Sequence, residues 1–153
     1  MSDWQRGARL GVDVGQVRVG VAISDPDGIL ATPLVTLRRA PNAAEDAVPS
    51  DISELARLVV AHEIVEVVVG LPVTLAGGHG PAAVGVQAYA ERLAEVIAPV
   101  PVRLVDERMS TVVATRRLAE RGVRGRRQRA VVDQAAAVEI LQSWLDTQRR
   151  RTP

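Results

Sequence analysis

The feature that most constrains the fold lies near the start of the chain, where apolar side chains alternate with small or polar ones. This alternation runs through residues 10–14 and again through residues 17–23, with Gly15 and Gln16 between the two stretches. Strict alternation is typical of half-buried β-strands, and a two-residue interruption containing Gly favours a hairpin. A third strand is predicted at residues 32–37, after the turn-forming segment 25–28. Three antiparallel strands are therefore predicted to open the domain.

The rest of the chain alternates predicted helices with short Val-rich strands. The predicted helices span residues 51–62, 86–97, 110–121 and 130–147, and the predicted strands span residues 64–69 and 102–105. Asp51 with Glu54 resembles a capping pair for the first helix, and Ser110 or Thr111 can cap the third. This order of elements predicts an α/β fold, with a mixed five-stranded sheet and helices on both faces.

Length and composition favour one domain. A chain of 153 residues with 47% hydrophobic residues can bury a single core. We expect one domain over residues 1–153, with flexible ends at residues 1–7 and 148–153. The chain contains no Cys, which excludes disulfides and thiol nucleophiles and is compatible with the cytoplasm. No apolar stretch reaches the roughly 18 residues of a membrane span, so we expect a cytoplasmic protein without membrane contact.

The basic residues are unusual in type and in distribution. All 19 are Arg, and the absence of Lys excludes a P-loop lysine and a Schiff-base lysine. Seven of them are concentrated in one segment, although the net charge is only +1: Arg116, Arg117, Arg121, Arg124, Arg126, Arg127 and Arg129. This density predicts contact with a nucleic-acid backbone, and a solvated linker is the alternative.

Acidic residues lie at the ends of several predicted elements. Asp13 lies near the end of the first strand, where neighbouring glycines leave space for a metal or ligand, although Asp beside Gly is also common in turns. Asp106 and Glu107 end the fifth strand. Because neighbouring strand residues point to opposite faces, only one of this pair can readily join Asp13. Periodicity leaves the choice between them open.

A further acid, Asp133, lies on the apolar stripe of the last predicted helix, which also carries Ala137, Ile140 and Trp144. A carboxylate facing the sheet requires a partner, and no Lys can provide it. The alternative is a helix N-terminal acid stabilised by the helix dipole. Taken together, the acids predict a site for Mg²⁺ or Mn²⁺ that supports hydrolysis of phosphodiester bonds.

Several sequence motifs follow one another in a characteristic order: Leu10-Gly11-Val12-Asp13-Val14-Gly15, Arg18-Val19-Gly20-Val21-Ala22, Ser24-Asp25, Val68-Val69-Gly70-Leu71-Pro72, Asp106-Glu107-Arg108 with Ser110-Thr111, and Asp133-Gln134-Ala135-Ala136-Ala137. This ordered set resembles the YqgF/RuvX family of Holliday junction resolvases and pre-16S rRNA nucleases, in the RNase H-like superfamily. The resemblance implies an RNase H-like fold and a divalent-metal-dependent endonuclease.

The same resemblance implies that Asp13, Glu107 and Asp133 are both the catalytic acids and the metal ligands. Of the adjacent pair, Glu107 occupies the motif position of the family's second acid, and its longer side chain can reach a metal from the strand end. Asp106 remains the alternative. The predicted nucleic-acid contacts are Arg18, Arg108, Thr111, Arg124, Arg126, Arg127 and Arg129.

Two other functions are compatible with the sequence. A non-catalytic RNA-binding processing factor would need only the arginines, with the acids in structural roles. An actin-like ATP-binding module shares the Asp13-x-Gly15 hairpin, but such proteins close two domains around the nucleotide, and this length suits only one. A symmetric four-way junction as substrate would favour a two-fold homodimer.

Overall fold

The structure is a computed structural model that describes residues 4–40, 47–72, 80–107 and 126–151. Within these ranges the chain forms five strands and three helices: β1 (Arg9–Val14), β2 (Arg18–Ser24), β3 (Ala31–Arg38), α1 (Ser50–Ala61), β4 (Glu66–Leu71), α2 (Pro81–Ile97), β5 (Val102–Asp106) and α3 (Arg126–Arg151). The helix predicted at residues 110–121 lies outside the described residues.

The strands form one sheet in the order β3-β2-β1-β4-β5. β1 pairs antiparallel with β2, and β2 pairs antiparallel with β3. β4 runs parallel to β1 on one side and parallel to β5 on the other. The antiparallel opening and the mixed five-stranded sheet predicted from the sequence are therefore confirmed.

Alternating side chains of the central strands divide the core between the two faces of the sheet. Even-numbered residues of β1, Leu10 and Val12, belong to the core cluster that includes α1 and α2. On the opposite face, Val68 of β4 packs in a second cluster with α3. Helices cover both faces, as predicted, because the strands are apolar on both sides.

The helix α3 lies unusually close to the sheet. A Cβ atom at Gly11 would lie 2.6 Å from Leu141 Cβ and 2.8 Å from the carbonyl oxygen of Ala137. Only glycine leaves room for helix and strand backbones to approach so closely. Because side chains alternate along β1, Asp13 lies on the same face as Gly11 and therefore on the α3 side.

Two of the predicted helix ends differ from the structure. The capping interpretation of Asp51 and Glu54 is wrong, since α1 begins at Ser50 without a side-chain cap and Asp51 is buried instead. The last helix also extends beyond its predicted end at residue 147, because α3 continues to Arg151. Arg149 pairs there with Asp146, three residues earlier on the helix.

The described N-terminal residues pack on the domain. Gly7 donates a backbone hydrogen bond to the carbonyl of Pro26. The Trp4 ring lies 3.6 Å from the guanidinium carbon of Arg9 and 6.3 Å from the ring of Trp144. Among the described residues, no helix is both long enough and apolar enough to cross a membrane.

Candidate active site

A cleft of about 600 Å³ opens where the β1–β2 turn meets the first turns of α2 and the first half of α3. The residues that line it include three acids, Asp13, Glu107 and Asp133, and two arginines, Arg18 and Arg39. The three acids predicted from the sequence therefore face one cavity, although they come from β1, from the residue after β5, and from α3.

Close packing at Gly20 brings Asp133 next to the strand that carries Asp13. Gly20 of β2 is the cross-strand register partner of Asp13. A Cβ atom at Gly20 would lie 2.1 Å from the carbonyl oxygen of Asp133 and 3.1 Å from its Cβ. The backbone of α3 thus lies directly on this position, and a glycine is required there. Asp13 is 4% exposed, whereas Asp133 is half-buried.

A second close approach, at Gly70, brings Glu107 toward the same place. Gly70 pairs with Val105 of β5, and Glu107 follows two residues later on the α3 side. A Cβ atom at Gly70 would lie 3.0 Å from Glu107 Oε1. Val12 of β1 pairs with Val69 of β4, so the next residues, Asp13 and Gly70, lie side by side on the two strands. The side chain of Glu107, which reaches Gly70, therefore extends over β4 toward the end of β1.

Asp106 and Glu107 differ in their position relative to the cleft. Glu107 is 5% exposed and lines the cleft. Asp106 is half-buried and is not among the residues that line the cleft. Alternation along β5 explains the difference, since the two side chains leave the strand on opposite faces.

Arg18 and Asp133 form an ion pair across the mouth of the cleft. Arg18 Nε donates to Asp133 Oδ2 at 2.7 Å, and the side chains are 28% and 18% exposed. The short distance between partly buried groups is typical of a charge-assisted hydrogen bond. Arg18 therefore lies at the site as predicted, but its direct partner in this structure is one of the acids.

The acids are not arranged as ready ligands. Within the described ranges, no group of three or more Asp, Glu, His or Cys side chains is placed to hold a metal ion. The donor chemistry nevertheless suits a hard cation, because all three side chains offer carboxylate oxygens. The donor chemistry thus suits a metal although the arrangement does not. The ion pair with Arg18 contributes to this difference, since it engages Asp133 Oδ2.

Several predicted nucleic-acid contacts cannot be located at the cleft. Arg108, Thr111 and Arg124 lie outside the described residues. Arg126, Arg127 and Arg129 belong to the first turns of α3, where the backbone is described and the side chains are not.

Sequence reasoning missed Arg39 and the pair of residues behind it. Arg39 follows β3, and its backbone N–H donates to the carbonyl of Val17 at 2.8 Å. Its guanidinium carbon lies 5.4 Å from the ring centre of Tyr89, whose hydroxyl donates to Asp51 Oδ2 at 2.8 Å. Burial and the Asp51 carboxylate raise the pKa of Tyr89. An acid at an otherwise apolar position of α1 was the only available sequence signal.

Comparisons with known proteins agree with this architecture. Residues 7–147 match the RuvX family, described as "Holliday junction resolvase". A protein of Nocardia farcinica named "Putative pre-16S rRNA nuclease" is 57% identical over 145 residues, which cover 95% of this chain and 81% of the relative. A protein of Mycobacterium leprae with the same name is 58% identical over 151 residues, covering 99% of this chain and 79% of the relative.

Among solved structures, RuvC of T. thermophilus in complex with a Holliday junction substrate is similar in fold. Its TM-score is 0.57 at 13% sequence identity, and the match covers 95% of this chain and 98% of that one. At this identity the similarity concerns the fold alone. On the family match and the close relatives, the chain belongs to the RuvX family of Holliday junction resolvases and is a nuclease with an α/β, RNase H-like fold.

Proposed function

We propose that this chain is a divalent-metal-dependent endonuclease that hydrolyses phosphodiester bonds of structured nucleic acid in the described cleft. The observation that carries the proposal is the convergence of Asp13, Glu107 and Asp133, from three separate elements, on one cavity that also contains arginine. Carboxylates beside arginine suit a reaction in which a cation and a phosphate must be held together.

The proposed metal ligands are the oxygens of Asp13, Glu107 and Asp133, and the proposed ion is Mg²⁺ or Mn²⁺. Asp13 and Glu107 are 4% and 5% exposed, and a cation next to buried carboxylates offsets their desolvation. When bound, such an ion lowers the pKa of water and stabilises the charge of the leaving oxygen.

The ion pair between Arg18 and Asp133 gives these two residues a shared role in the proposal. A metal that coordinates Asp133 through Oδ2 must displace Arg18, since this oxygen accepts the Arg18 hydrogen bond at 2.7 Å. The released guanidinium then lies at the mouth of the cleft, where its planar fork can bind a phosphate group. Binding of metal and binding of substrate would thereby favour each other.

Two glycines, Gly20 and Gly70, leave the space that positions two of the acids. Gly20 allows the backbone of α3 to lie on β2 and fixes where Asp133 begins. Gly70 leaves the space through which the Glu107 side chain crosses β4. Asp133 is therefore positioned by the packing of α3 on the sheet, and Glu107 by its place directly after β5; sites built on such elements are held more precisely than sites on loops.

The proposed substrates are four-way-junction DNA and precursor 16S rRNA. The family description names the first, and the relatives from Nocardia farcinica and Mycobacterium leprae are named for the second. We further propose that Arg108, Thr111, Arg124, Arg126, Arg127 and Arg129 contact the backbone of the substrate, that a homodimer acts on symmetric junctions, and that the protein works in the cytoplasm.

The test is a cleavage assay with purified protein and both substrates, in Mg²⁺ or Mn²⁺ and in EDTA. We expect Asp13→Asn and Glu107→Gln to lower the cleavage rate by roughly 10³-fold or more, as is usual for the loss of a group that acts on the transition state. Asp106→Asn is the matched control, since Asp106 is adjacent to Glu107 and does not line the cleft. Equal cleavage by Asp13→Asn and the unchanged chain would refute the proposal.

The second candidate is a non-catalytic RNA-binding processing factor. One observation favours it, namely that the acids of the described residues form no ready metal-binding group. Titration of the protein with Mn²⁺, with and without nucleic acid, separates the two functions. If no ion binds in either condition while RNA still binds, the non-catalytic function replaces the nuclease function.

A further inference from the structure

The second arginine of the cleft, Arg39, is tied to the turn that carries Asp13. Its backbone N–H donates to the carbonyl of Val17, and its Nη1 donates to the carbonyl of Gly15 at 2.9 Å. Arg39 thus bridges the end of β3 and the β1–β2 turn. Its side chain lines the same cavity as Asp13, and none of the functional contacts predicted from the sequence includes it.

The two arginines of the cleft differ in the charges around them. Arg18 is neutralised by its ion pair with Asp133. Arg39 forms no ion pair with any described residue, and its side-chain hydrogen bond goes to a neutral carbonyl. A guanidinium has five N–H donors, so most of its donors remain for another acceptor. Phosphate oxygens are the acceptors that best match its planar geometry.

The ring of Tyr89 supports the guanidinium of Arg39 on the side of α1 and α2. The guanidinium carbon lies 5.4 Å from the ring centre of Tyr89, within the range of a cation–π contact. Tyr89 of α2 is 8% exposed, and its hydroxyl donates to Asp51 Oδ2 of α1 at 2.8 Å. The ring is therefore fastened to both helices, and it offers Arg39 a rigid surface.

The carboxylate of Asp51 adds a further observation. Asp51 is 3% exposed, and its Oδ1 is a buried oxygen without a hydrogen-bond partner among the described residues. A buried, incompletely bonded carboxylate is costly unless a nearby positive charge compensates it. The guanidinium of Arg39 contacts the ring of the same tyrosine whose hydroxyl donates to this carboxylate. A chain of contacts therefore leads from Asp51 through Tyr89 to Arg39, and Arg39 lines the cleft.

We propose that Arg39 binds a backbone phosphate of the nucleic acid, and that Tyr89, held by Asp51, is the positioning residue that aims Arg39 into the cleft. This inference rests on the proposed function, because it assigns a contact to the same site. Phosphate held by Arg39 would lie in the cavity that the three acids line, so that the same cleft would hold the backbone and its scissile bond.

The experiment measures binding of a labelled four-way DNA junction in EDTA at several NaCl concentrations. Each phosphate contact adds about 0.9 to the slope of log K against log salt concentration. We expect Arg39→Gln to weaken binding about tenfold and to reduce this slope by about 0.9. Arg39→Lys should keep the slope, since the charge remains, while binding is still weaker than with Arg.

Arg38→Gln is the matched control, because Arg38 is the neighbouring arginine, is exposed and does not line the cleft. We expect it to leave the slope unchanged. If Arg39→Gln and Arg38→Gln give the same slope, the proposal for Arg39 is wrong. Far-ultraviolet circular dichroism of each variant confirms that the fold is retained.

Tyr89→Phe tests the positioning role, since it keeps the ring and removes the hydrogen bond to Asp51. In the protein that retains Arg39, we expect Tyr89→Phe to weaken junction binding about threefold. In the protein that already carries Arg39→Gln, we expect Tyr89→Phe to cause no further loss, because Tyr89 acts through Arg39. If Tyr89→Phe weakens junction binding equally with and without Arg39, the positioning role is wrong.

Cleavage assays separate this proposal from the proposed function. If Asp13→Asn cleaves as well as the unchanged chain but the salt slopes behave as expected, the nuclease assignment fails and Arg39 remains a nucleic-acid contact. If the acids are required for cleavage and the slope does not depend on Arg39, only the present inference fails.

Discussion

At the scale of single residues, the ion pair between Arg18 and Asp133 is the contact that most affects the chemistry. It joins two residues 115 positions apart at 2.7 Å, and it engages one of the two Asp133 oxygens that could bind the proposed metal. A cation near the site also repels an incoming divalent ion, by about 2 kcal/mol when a unit charge lies some 4 Å from it in a water-like medium. Arg18 should therefore limit metal affinity before substrate arrives.

This leads to a prediction for Arg18→Gln. We expect this variant to bind Mn²⁺ about 30-fold more tightly in the absence of nucleic acid, since about 2 kcal/mol of repulsion is removed, and to cleave nucleic acid more slowly. Isothermal titration calorimetry measures the affinity directly. Arg103→Gln is the control, because Arg103 pairs with Glu66 and does not line the cleft. Weaker or unchanged Mn²⁺ binding by Arg18→Gln would contradict the proposed competition.

The turn between β2 and β3 depends on a different single residue. The carboxylate of Asp25 accepts hydrogen bonds from the backbone N–H groups of Asp27, Ile29 and Leu30 at 3.1, 2.8 and 2.8 Å. Desolvation opposes ionisation of this group, but the backbone hydrogen bonds outweigh it and hold the pKa of Asp25 below its ordinary value of 3.8.

A lowered pKa in the folded state means that Asp25 stabilises the fold above its unfolded pKa, and that this contribution is lost as pH falls through the folded pKa. We expect Asp25→Asn to lower the free energy of unfolding by about 1 kcal/mol at pH 7 and to have a smaller effect near pH 3. Urea unfolding at both pH values measures the difference. A constant difference would show that the charge is not involved.

At the scale of elements, the site depends on how closely α3 lies on the sheet. Gly11 and Gly20 leave the space into which the helix backbone fits at Ala137 and Asp133. Ile140, one turn further along, fills the space above Gly70. These residues lie on one stripe of α3, so the packing that buries the helix also sets the position of its acid.

Gly20→Ala tests this dependence. Its Cβ would lie 2.1 Å from a backbone oxygen, so α3 must move, and we expect a loss of roughly 2–3 kcal/mol in the free energy of unfolding with slower cleavage. Gly85→Ala is the matched control, since nothing lies within 4 Å of a Cβ there. In a helix that change should be neutral or stabilising by up to about 1 kcal/mol. Equal stability of the two variants in urea would contradict the packing argument.

The elements were largely predictable from sequence, and long-range contacts were not. Alternation over residues 10–14 and 17–23 predicts β1 and β2 because large apolar side chains of these strands pack on the α1 and α2 side, while the glycines between them face α3. The start of α3 lies four residues before its predicted start, at Arg126, since a run of polar residues carries no apolar periodicity. The prediction that Asp133 shares a stripe with Ala137 and Ile140 is confirmed by the packing of α3.

The contacts that sequence could not supply join residues far apart in the chain. The partner of Asp133, the Tyr89–Asp51 hydrogen bond and the position of Arg39 all depend on how separate elements meet. Asp51 illustrates the difficulty, because its position in the first turn of α1 resembles a capping residue. Only the packing of α1 against α2 shows that it is buried beneath a tyrosine.

At the scale of the whole molecule, the sheet separates two tasks. One face, with α1 and α2, contains most of the aliphatic core and supports Arg39 through Tyr89. The other face, with α3, contains the smaller core and carries the acids. The cleft lies where these layers meet, so the acids on one face and Arg39, supported from the other, line the same cavity.

The central claim is that Asp13, Glu107 and Asp133 jointly bind a divalent ion. Anomalous diffraction from crystals grown with Mn²⁺ tests it most directly, since the ion itself is located. The expected result is a peak in the cleft bonded to oxygens of all three residues at about 2.1 Å, typical of a small hard divalent ion, with Arg18 turned away from Asp133. A cleft without a peak, in crystals where the Arg18–Asp133 pair is intact at saturating Mn²⁺, would contradict the claim.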